Sequence, residues 1–394
     1  MASNILKISA LAFLASASVI SAVQAGGFAR GTADTDIIYE EGNFNIRAGA
    51  TIVVPNRAYA TINGAPATDS SFAKAYVIPS AAVKLNINED LRCAGTFTQS
   101  NGASSEYGPQ AIAAGKLTGA SGTVSTNFTT NEAGLTCGYK INAGKGQFWL
   151  LGGVYAEAFD YAEVVEFGPF AGPLNGSRAT LAFDGEYKLG YRLGAAYEIP
   201  EYALRAQLMY RSAVTHTPDG SFTFLGGTLP AVGLGTLPQS VELKLQSGVA
   251  PGWLVFGSVK WTDWSVLDTL DYTIAGPGPI GGDKIKEFYF RDGWTVSGGV
   301  GHAFTENVSG ALSLTWDRGT STTEDHLTDS YTLAGGVSLK DKLGGELRFG
   351  GGVSYLTSGS VALNPASPGA GASFASTVDG DWAYALSASY KTKW

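Results

Sequence analysis

Phe44-Asn45-Ile46-Arg47-Ala48-Gly49-Ala50-Thr51-Ile52-Val53-Val54 is the stretch on which the fold turns. Phe44, Ile46, Ala48, Ala50, Ile52 and Val54 leave one side of an extended chain, and Asn45, Arg47, Gly49 and Thr51 leave the other. Only a strand has a side-chain period of two, so this is a strand with one apolar face. The rhythm recurs from Val77 to Ile87, Leu91 to Phe97, Leu135 to Ile141 and Phe148 to Val154. It returns in Tyr187–Tyr197, Tyr202–Tyr210, Val241–Leu245, Trp253–Trp261, Trp294–Val300, Val308–Trp316, Tyr331–Leu339, Leu347–Tyr355 and Trp382–Tyr390. That makes about fourteen strands, an even number, as bacterial barrels require.

The connections alternate too. Short turns fall near 86–90, 142–146, 199–201, 250–252, 305–307 and 340–345. Long Gly/Pro/Ser-rich loops fall near 55–75, 99–123, 160–180, 215–238, 265–286, 318–329 and 357–379. Short periplasmic turns facing long external loops are the pattern of an outer-membrane barrel, and they put both termini in the periplasm. A soluble β-sandwich has no reason to segregate its loops in this way. Tyr and Trp stand at both ends of the apolar faces, as in Trp253 and Trp261, where girdles meet lipid headgroups. The last strand ends in the aromatic Trp394, which resembles the signal read by the barrel-insertion machinery.

Composition agrees. Only 15% of residues are charged, 53 are Gly, 11% are aromatic and two are Cys, and the net charge is −8. The acidic balance argues against nucleic acid as a partner. Residues 1–25 read as a signal peptide: Lys7, the uncharged run Ile8–Val23, then Val23-Gln24-Ala25 for cleavage. The expected divisions are 1–25 signal peptide, 26–42 a short N-terminal plug and 43–394 the barrel. The fold expected is all-β, a transmembrane antiparallel barrel, with the mature chain read as free of helices. Ser221–Val241 is uncharged, but four glycines and two prolines would break a spanning helix.

No catalytic constellation stands out. His216, His302 and His326 lie on separate elements without ligand spacing, and Gly350-Gly351-Gly352 lacks the Lys and Ser/Thr of a phosphate loop. No metal, cofactor or enzymatic activity is expected. Asp34, Asp36, Glu40 and Glu41 form an acidic knot that fits no calcium loop and reads as a solvated periplasmic patch. Cys93 and Cys137 sit on the apolar faces of the third and fourth strands, either bonded to each other or as two small lipid-facing side chains.

Inward parity gathers basic residues, including Arg47, Arg92, Arg192, Arg205, Arg211, Lys244, Lys260 and Arg348, with fewer acids. Val53, Leu254 and Phe256 are apolar inner positions, which suits a lumen holding an inserted segment or an apolar ligand with an anionic end. Phe167, Phe170 and Leu174, and Phe222, Phe224 and Leu225, make two loops apolar where exposed loops should be polar. Each such group left in water costs roughly 1.5–3 kcal/mol, so these loops pack together as a lid or capture something apolar.

Several blocks carry a family resemblance. Leu189-Gly190-Tyr191 through Tyr210-Arg211-Ser212, Pro251-Gly252-Trp253 with Lys260-Trp261-Thr262-Asp263-Trp264-Ser265, and Phe290-Arg291-Asp292-Gly293-Trp294 follow in order. The set resembles the FadL-type outer-membrane transporters of long-chain fatty acids and other hydrophobic compounds. That resemblance implies fourteen strands and an N-terminal hatch inside the barrel, and Gly26-Gly27-Phe28 is similar to the hatch's start. The hatch here is short, with about seventeen residues before the first strand, and lacks the usual Asn-Pro-Ala. The expected mechanism is passive. Hydrophobic molecules are captured by the apolar loops, the anionic head meets Arg211, Lys244 or Lys260, and the Phe28 segment is displaced. A dangling terminus is the alternative for residues 26–42, and a general diffusion porin is the alternative function. Expected partners are fatty acids, outer-membrane lipid and lipopolysaccharide, and the insertion machinery, with the protein a monomer.

Overall fold

The computed structural model describes residues 27–118, 121–276, 280–322, 326–342, 344–363 and 373–394. The expected signal peptide and residues 364–372 of the last external loop lie outside the described residues. Fourteen antiparallel strands form the wall. They are β1 (Phe44–Pro55), β2 (Tyr76–Asn86), β3 (Leu91–Glu106), β4 (Ser121–Ala143), β5 (Gly146–Phe167), β6 (Tyr187–Ile199) and β7 (Leu204–Arg211). Then follow β8 (Ser240–Ala250), β9 (Trp253–Thr262), β10 (Gly293–Ala303), β11 (Val308–Asp317), β12 (Ser330–Lys340), β13 (Glu346–Leu356) and β14 (Asp381–Lys393).

Each strand pairs with the next, and β1 pairs with β14 from Asn45↔Lys393 to Pro55↔Ala383, so no edge is left open. Closure lets each strand of the ring pair on both sides, which lipid demands because it offers no hydrogen bonds. The alternation in β1 is physical: Ile52 and Val54 are half exposed on the outside, while Val53 between them is wholly buried inside. The six short turns lie where expected. Gly144 (φ +61°) and Gly252 (φ +76°) take left-handed backbone there, which a side chain resists. Cys93 and Cys137 are register partners on β3 and β4, and their sulfurs are 2.05 Å apart, a disulfide on the outer face.

The external side departs from the expected loops in two ways. First, the chain has a helix, α1 (Pro109–Thr118), too short and too polar to cross a membrane. Its Ala-rich sequence favours helix, and the carboxylate of Asp69, from the preceding external loop, accepts hydrogen bonds from the Gln110 and Ala111 N–H groups (3.2 and 2.9 Å). A strand rhythm read along the chain has no access to a cap supplied from forty residues away.

Second, much of the expected loop sequence is sheet. β4 and β5 run for 23 and 22 residues, well past the roughly 9–11 that a bilayer needs. Asp219–Phe224 pairs with Gly227–Leu237, and Thr269–Ile274 pairs with Gly282–Glu287. The first hairpin joins Arg178–Phe183 on one side and the second hairpin on the other, raising the wall above the membrane. Glycine and proline at 226–238 disguise an alternation that persists in Leu229, Ala231 and Gly233.

The N-terminal segment lies inside the ring. Arg30 and Gly31 donate backbone N–H to the Ser100 and Gln99 carbonyls (2.9 Å each), and Gly102 N–H donates to Phe28 O (2.8 Å). This contact sits where the β3–β4 register shifts between Gln99 and Asn101, a bulge that frees backbone groups of β3 for a third chain. One 3-10 turn follows (Thr35–Tyr39), and its Ile37 and Ile38 are fully buried against Trp149, Leu151 and Met209.

Asp34, Asp36 and Glu40 of the acidic knot are therefore not solvated, while Glu41 stays exposed, 3.8 Å from Lys393. Asp34 meets Arg47 (2.5 Å), Asp36 meets Lys244 (3.1 Å), and Glu40 meets Lys391 (2.7 Å) and Arg47. Burial alone would raise the carboxyls of Asp36 and Glu40. Lys244 for the first, and Lys391 with Arg47 for the second, outweigh it and hold both below the usual carboxylate range. The knot is the counterpart of inward-facing cations on β1, β8 and β14.

The orientation is testable on intact cells. Cysteines placed at Gly172 and Gly227 should react with an impermeant maleimide, and those at Asn88 and Lys342 should not. Labelling of the second pair alone would invert the topology.

Candidate functional site

Two chambers lie along the lumen, and Phe28 stands between them. Its ring meets those of Phe290 (5.3 Å), Phe128 (5.5 Å), Trp264 (5.9 Å) and Phe288 (5.9 Å), all edge-on. The seat leaves no room upstream: Gly27 has φ +64°, and a Cβ there would lie 2.5 Å from the Trp264 ring. Beside Phe28 opens a pocket walled by Phe128, Phe159, Tyr161, Leu237, Leu270 and Phe288. The walls come from β4, from β5 and from the external hairpins, so the tall strands are what build it. Among the described residues Lys286 is the one cation in this wall, held by Glu163 (2.9 Å) and near the Tyr161 hydroxyl (3.3 Å).

On the periplasmic side of Phe28 lies a larger polar cavity, lined among others by Arg211, Lys244 and Lys260. The structure gives these three sequence-nominated cations different lots. Arg211 lies between Glu157 (2.5 Å) and Glu132 (3.0 Å), with Arg192 bonded to Glu132 as well. Glu157 also accepts from Ser100 (2.8 Å) and faces His216 Nε2 (3.2 Å). Lys244 is bound to Asp36 of the N-terminal segment. Arg211 and Lys244 are thus already matched by carboxylates. Lys260, opposite Glu242 in the ladder, has no ion pair among the described residues.

The apolar loop residues are likewise divided. Phe222 is buried within the aromatic cluster, and Phe167 and Phe224 pack against it with their rings 5.3 Å apart. Leu174 is half-buried, while Phe170 and Leu225 are 74% and 71% exposed at the rim. Packing between the loops thus accounts for Phe167, Phe222 and Phe224, while Phe170 and Leu225 face solvent. Phe128, Phe159, Tyr161, Trp264, Phe288 and Phe290 were not among the sequence candidates. Parity could have found some of them, since Phe159 and Tyr161 continue the inward series of Glu157 beyond the membrane band.

The histidines stay apart. His216 stacks on Phe159 (5.6 Å), His302 lies over Trp253 (4.2 Å), and His326 bonds Ser376. Burial, with Arg57 nearby, pushes His326 down to about 4, so it is neutral at physiological pH. Among the described residues no three His, Cys, Asp or Glu side chains are placed to hold a metal.

The barrel is thus closed, its N-terminal segment lies inside the ring and an aromatic pocket opens beside it. The family model for outer membrane transport proteins (OMPP1/FadL/TodX) matches residues 32–309. This chain belongs to that family. Its members are transport channels of the outer membrane for hydrophobic compounds, not enzymes, and the diffusion-porin alternative gives way. The barrel resembles a Pseudomonas aeruginosa FadL homologue (13% identity, TM-score 0.71, covering 95% of this chain and 97% of that one). It also resembles the Pseudomonas putida toluene transporter TodX (14%, TM-score 0.63, 91% and 92%) and the Ralstonia pickettii toluene transporter TbuX (13%, TM-score 0.60, 90% and 90%). At such identities the likeness is one of fold. No curated protein sequence matches this chain.

Proposed function

We propose that this FadL/TodX-family barrel takes up hydrophobic compounds passively, with long-chain fatty acids among them, by a route that passes through the seat of Phe28. Phe170 and Leu225 at the rim, with Phe167, Leu174, Phe222 and Phe224 behind them, take the molecule from water. It then enters the aromatic pocket and replaces the Phe28 ring, a side chain worth roughly 1.5–3 kcal/mol when buried. That is enough to hold a short segment and small enough for a ligand of similar area to displace. The observation carrying this reading is the Phe28 ring set as one wall of a largely aromatic pocket whose one charged side chain, among the described residues, is Lys286. Residues 27–42 act as the plug, and their ion pairs keep the remainder seated when Phe28 leaves.

A neutral aromatic cargo is the second reading, favoured by the carboxylates already matched to Arg211 and Lys244 and consistent with the toluene transporters among the structural neighbours. Displacement of a fluorescent fatty acid from purified protein, by dodecanoate and by toluene, tests both. Displacement by either supports the pocket, and failure of the probe to bind at all counts against it. The rim is tested by Phe170→Ser with Leu225→Ser. Uptake at low substrate concentration should fall severalfold, while heat-modifiable gel mobility stays normal, because neither side chain supports the wall.

A further inference from the structure

Arg30 is a buried cation that nothing in the transport reading uses. It lies two residues beyond Phe28, is 7% exposed, and lines the polar cavity just below the Phe28 seat. Its guanidinium lies over the Tyr76 ring (3.9 Å), and its Nη1 donates to Gln99 Oε1 (2.5 Å). Both partners are uncharged. Nε and Nη2 are buried with no hydrogen-bond partner, and no carboxylate pairs with Arg30 among the described residues. Burying a cation without a counter-ion is costly, and a guanidinium left with open donors is a receptor waiting for an acceptor. Burial lowers it only to about 10, so it stays charged at neutral pH.

The surroundings point the same way. The carboxylates lining this cavity are Asp36, Glu132 and Glu242, and each is engaged, with Lys244, with Arg192 and Arg211, and with Lys244 again. Arg30, Arg205 and Lys260 remain in the cavity without an ion pair among the described residues, so its field favours an anion. Gly102 lets the guanidinium pack onto the β3 backbone, since a Cβ there would stand 2.7 Å from the guanidinium carbon, and so holds Arg30 in place at the cavity wall.

We propose that Arg30 is the receptor for the carboxylate of an amphipathic hydrophobic ligand, whose hydrocarbon body occupies the aromatic pocket next to Phe28. This rests on the transport reading above and narrows its substrate class to hydrophobic acids. It also places the receptor on the plug rather than on the wall, so the ligand's two ends grip the same short segment: the tail replaces Phe28 and the head holds Arg30.

The test compares a fluorescent long-chain fatty acid with its methyl ester on wild type, Arg30→Gln and Arg30→Lys. Arg30→Gln should weaken the acid roughly tenfold or more, the loss of a charge-assisted hydrogen bond, and leave the ester unchanged. Arg30→Lys should retain part of the acid's affinity. Equal weakening of acid and ester would show that Arg30 only packs the plug, and an unweakened acid would remove it as receptor. Both results overturn this proposal while leaving the transport reading standing. If wild type binds neither probe, both fall together. Chloride at high concentration, competing as well as acetate and dodecanoate do, would mark a generic anion site and likewise overturn the assignment to hydrophobic acids.

Discussion

Removing residues 27–40 is expected to turn a nearly closed barrel into a steady conducting pore. The segment lies inside the ring, seats Phe28, Ile37 and Ile38 against the wall and is tied to it by Asp34, Asp36 and Glu40. Without it the lumen keeps Arg47, Lys244 and Lys391 facing water, which charged side chains tolerate far better than burial alone. Planar-bilayer recordings should show high conductance in the deletion and low conductance in wild type, with Phe28→Ala between them. Gel mobility before and after heating should show that the deleted barrel is still closed. Equal conductance would mean that the segment does not obstruct the path.

The same ion pairs set a pH dependence. Asp36 and Glu40 titrate below their ordinary values of 3.8 and 4.5 when the segment is seated. A depressed carboxyl contributes its full stabilisation above the ordinary value and loses it as pH falls through the lowered one. Wild-type conductance should therefore be flat from about pH 7 to about pH 5 and rise only below about pH 4. A rise centred near neutrality would point to a histidine instead.

The second large effect is expected at Arg211. Replacing it with Ala leaves Glu157 with His216 and Ser100, and leaves Glu132 with Arg192 alone. Breaking a buried pair from one side costs about 3–5 kcal/mol. Arg211→Ala should lower the temperature at which the barrel unfolds on a gel by many degrees, with the affinity for a neutral hydrocarbon little changed. Lys260→Ala, which breaks no ion pair among the described residues, should leave that temperature nearly unchanged. If Arg211 instead received ligand directly, its loss would weaken fatty-acid binding and spare stability.

These expectations follow from what a strand sequence does and does not carry. The period of two in Phe44–Val54 fixes which side chains face lipid, because a one-residue slip would reverse every one of them. The inward set Arg47, Arg192, Arg211 and Lys244 was legible for that reason. Their partners were not, because Asp36 and Lys244 are 208 positions apart and meet only once the ring has closed. The acidic knot consequently read as solvated, although the cations to match it were visible. The aromatic pocket was hidden differently. Phe128 and Phe159 stand on strands that outrun the membrane, and Phe288 and Phe290 on a segment rich in polar residues. Phe222 and Phe224 carried the right signal, apolar side chains where water was expected. Of these only Phe222 is deeply buried, inside the aromatic cluster, while Phe224 stands at the hairpin tip opposite Gly227 and packs against that cluster from outside.

The most direct test of transport through the Phe28 seat is a crystal structure of the protein soaked with a brominated long-chain acid, read by anomalous scattering. Bromine density among Phe128, Phe159 and Phe288, with the Phe28 ring withdrawn, is the predicted result. Bromine found only along the lipid-facing wall, with Phe28 still packed against Trp264 and Phe290, would contradict it.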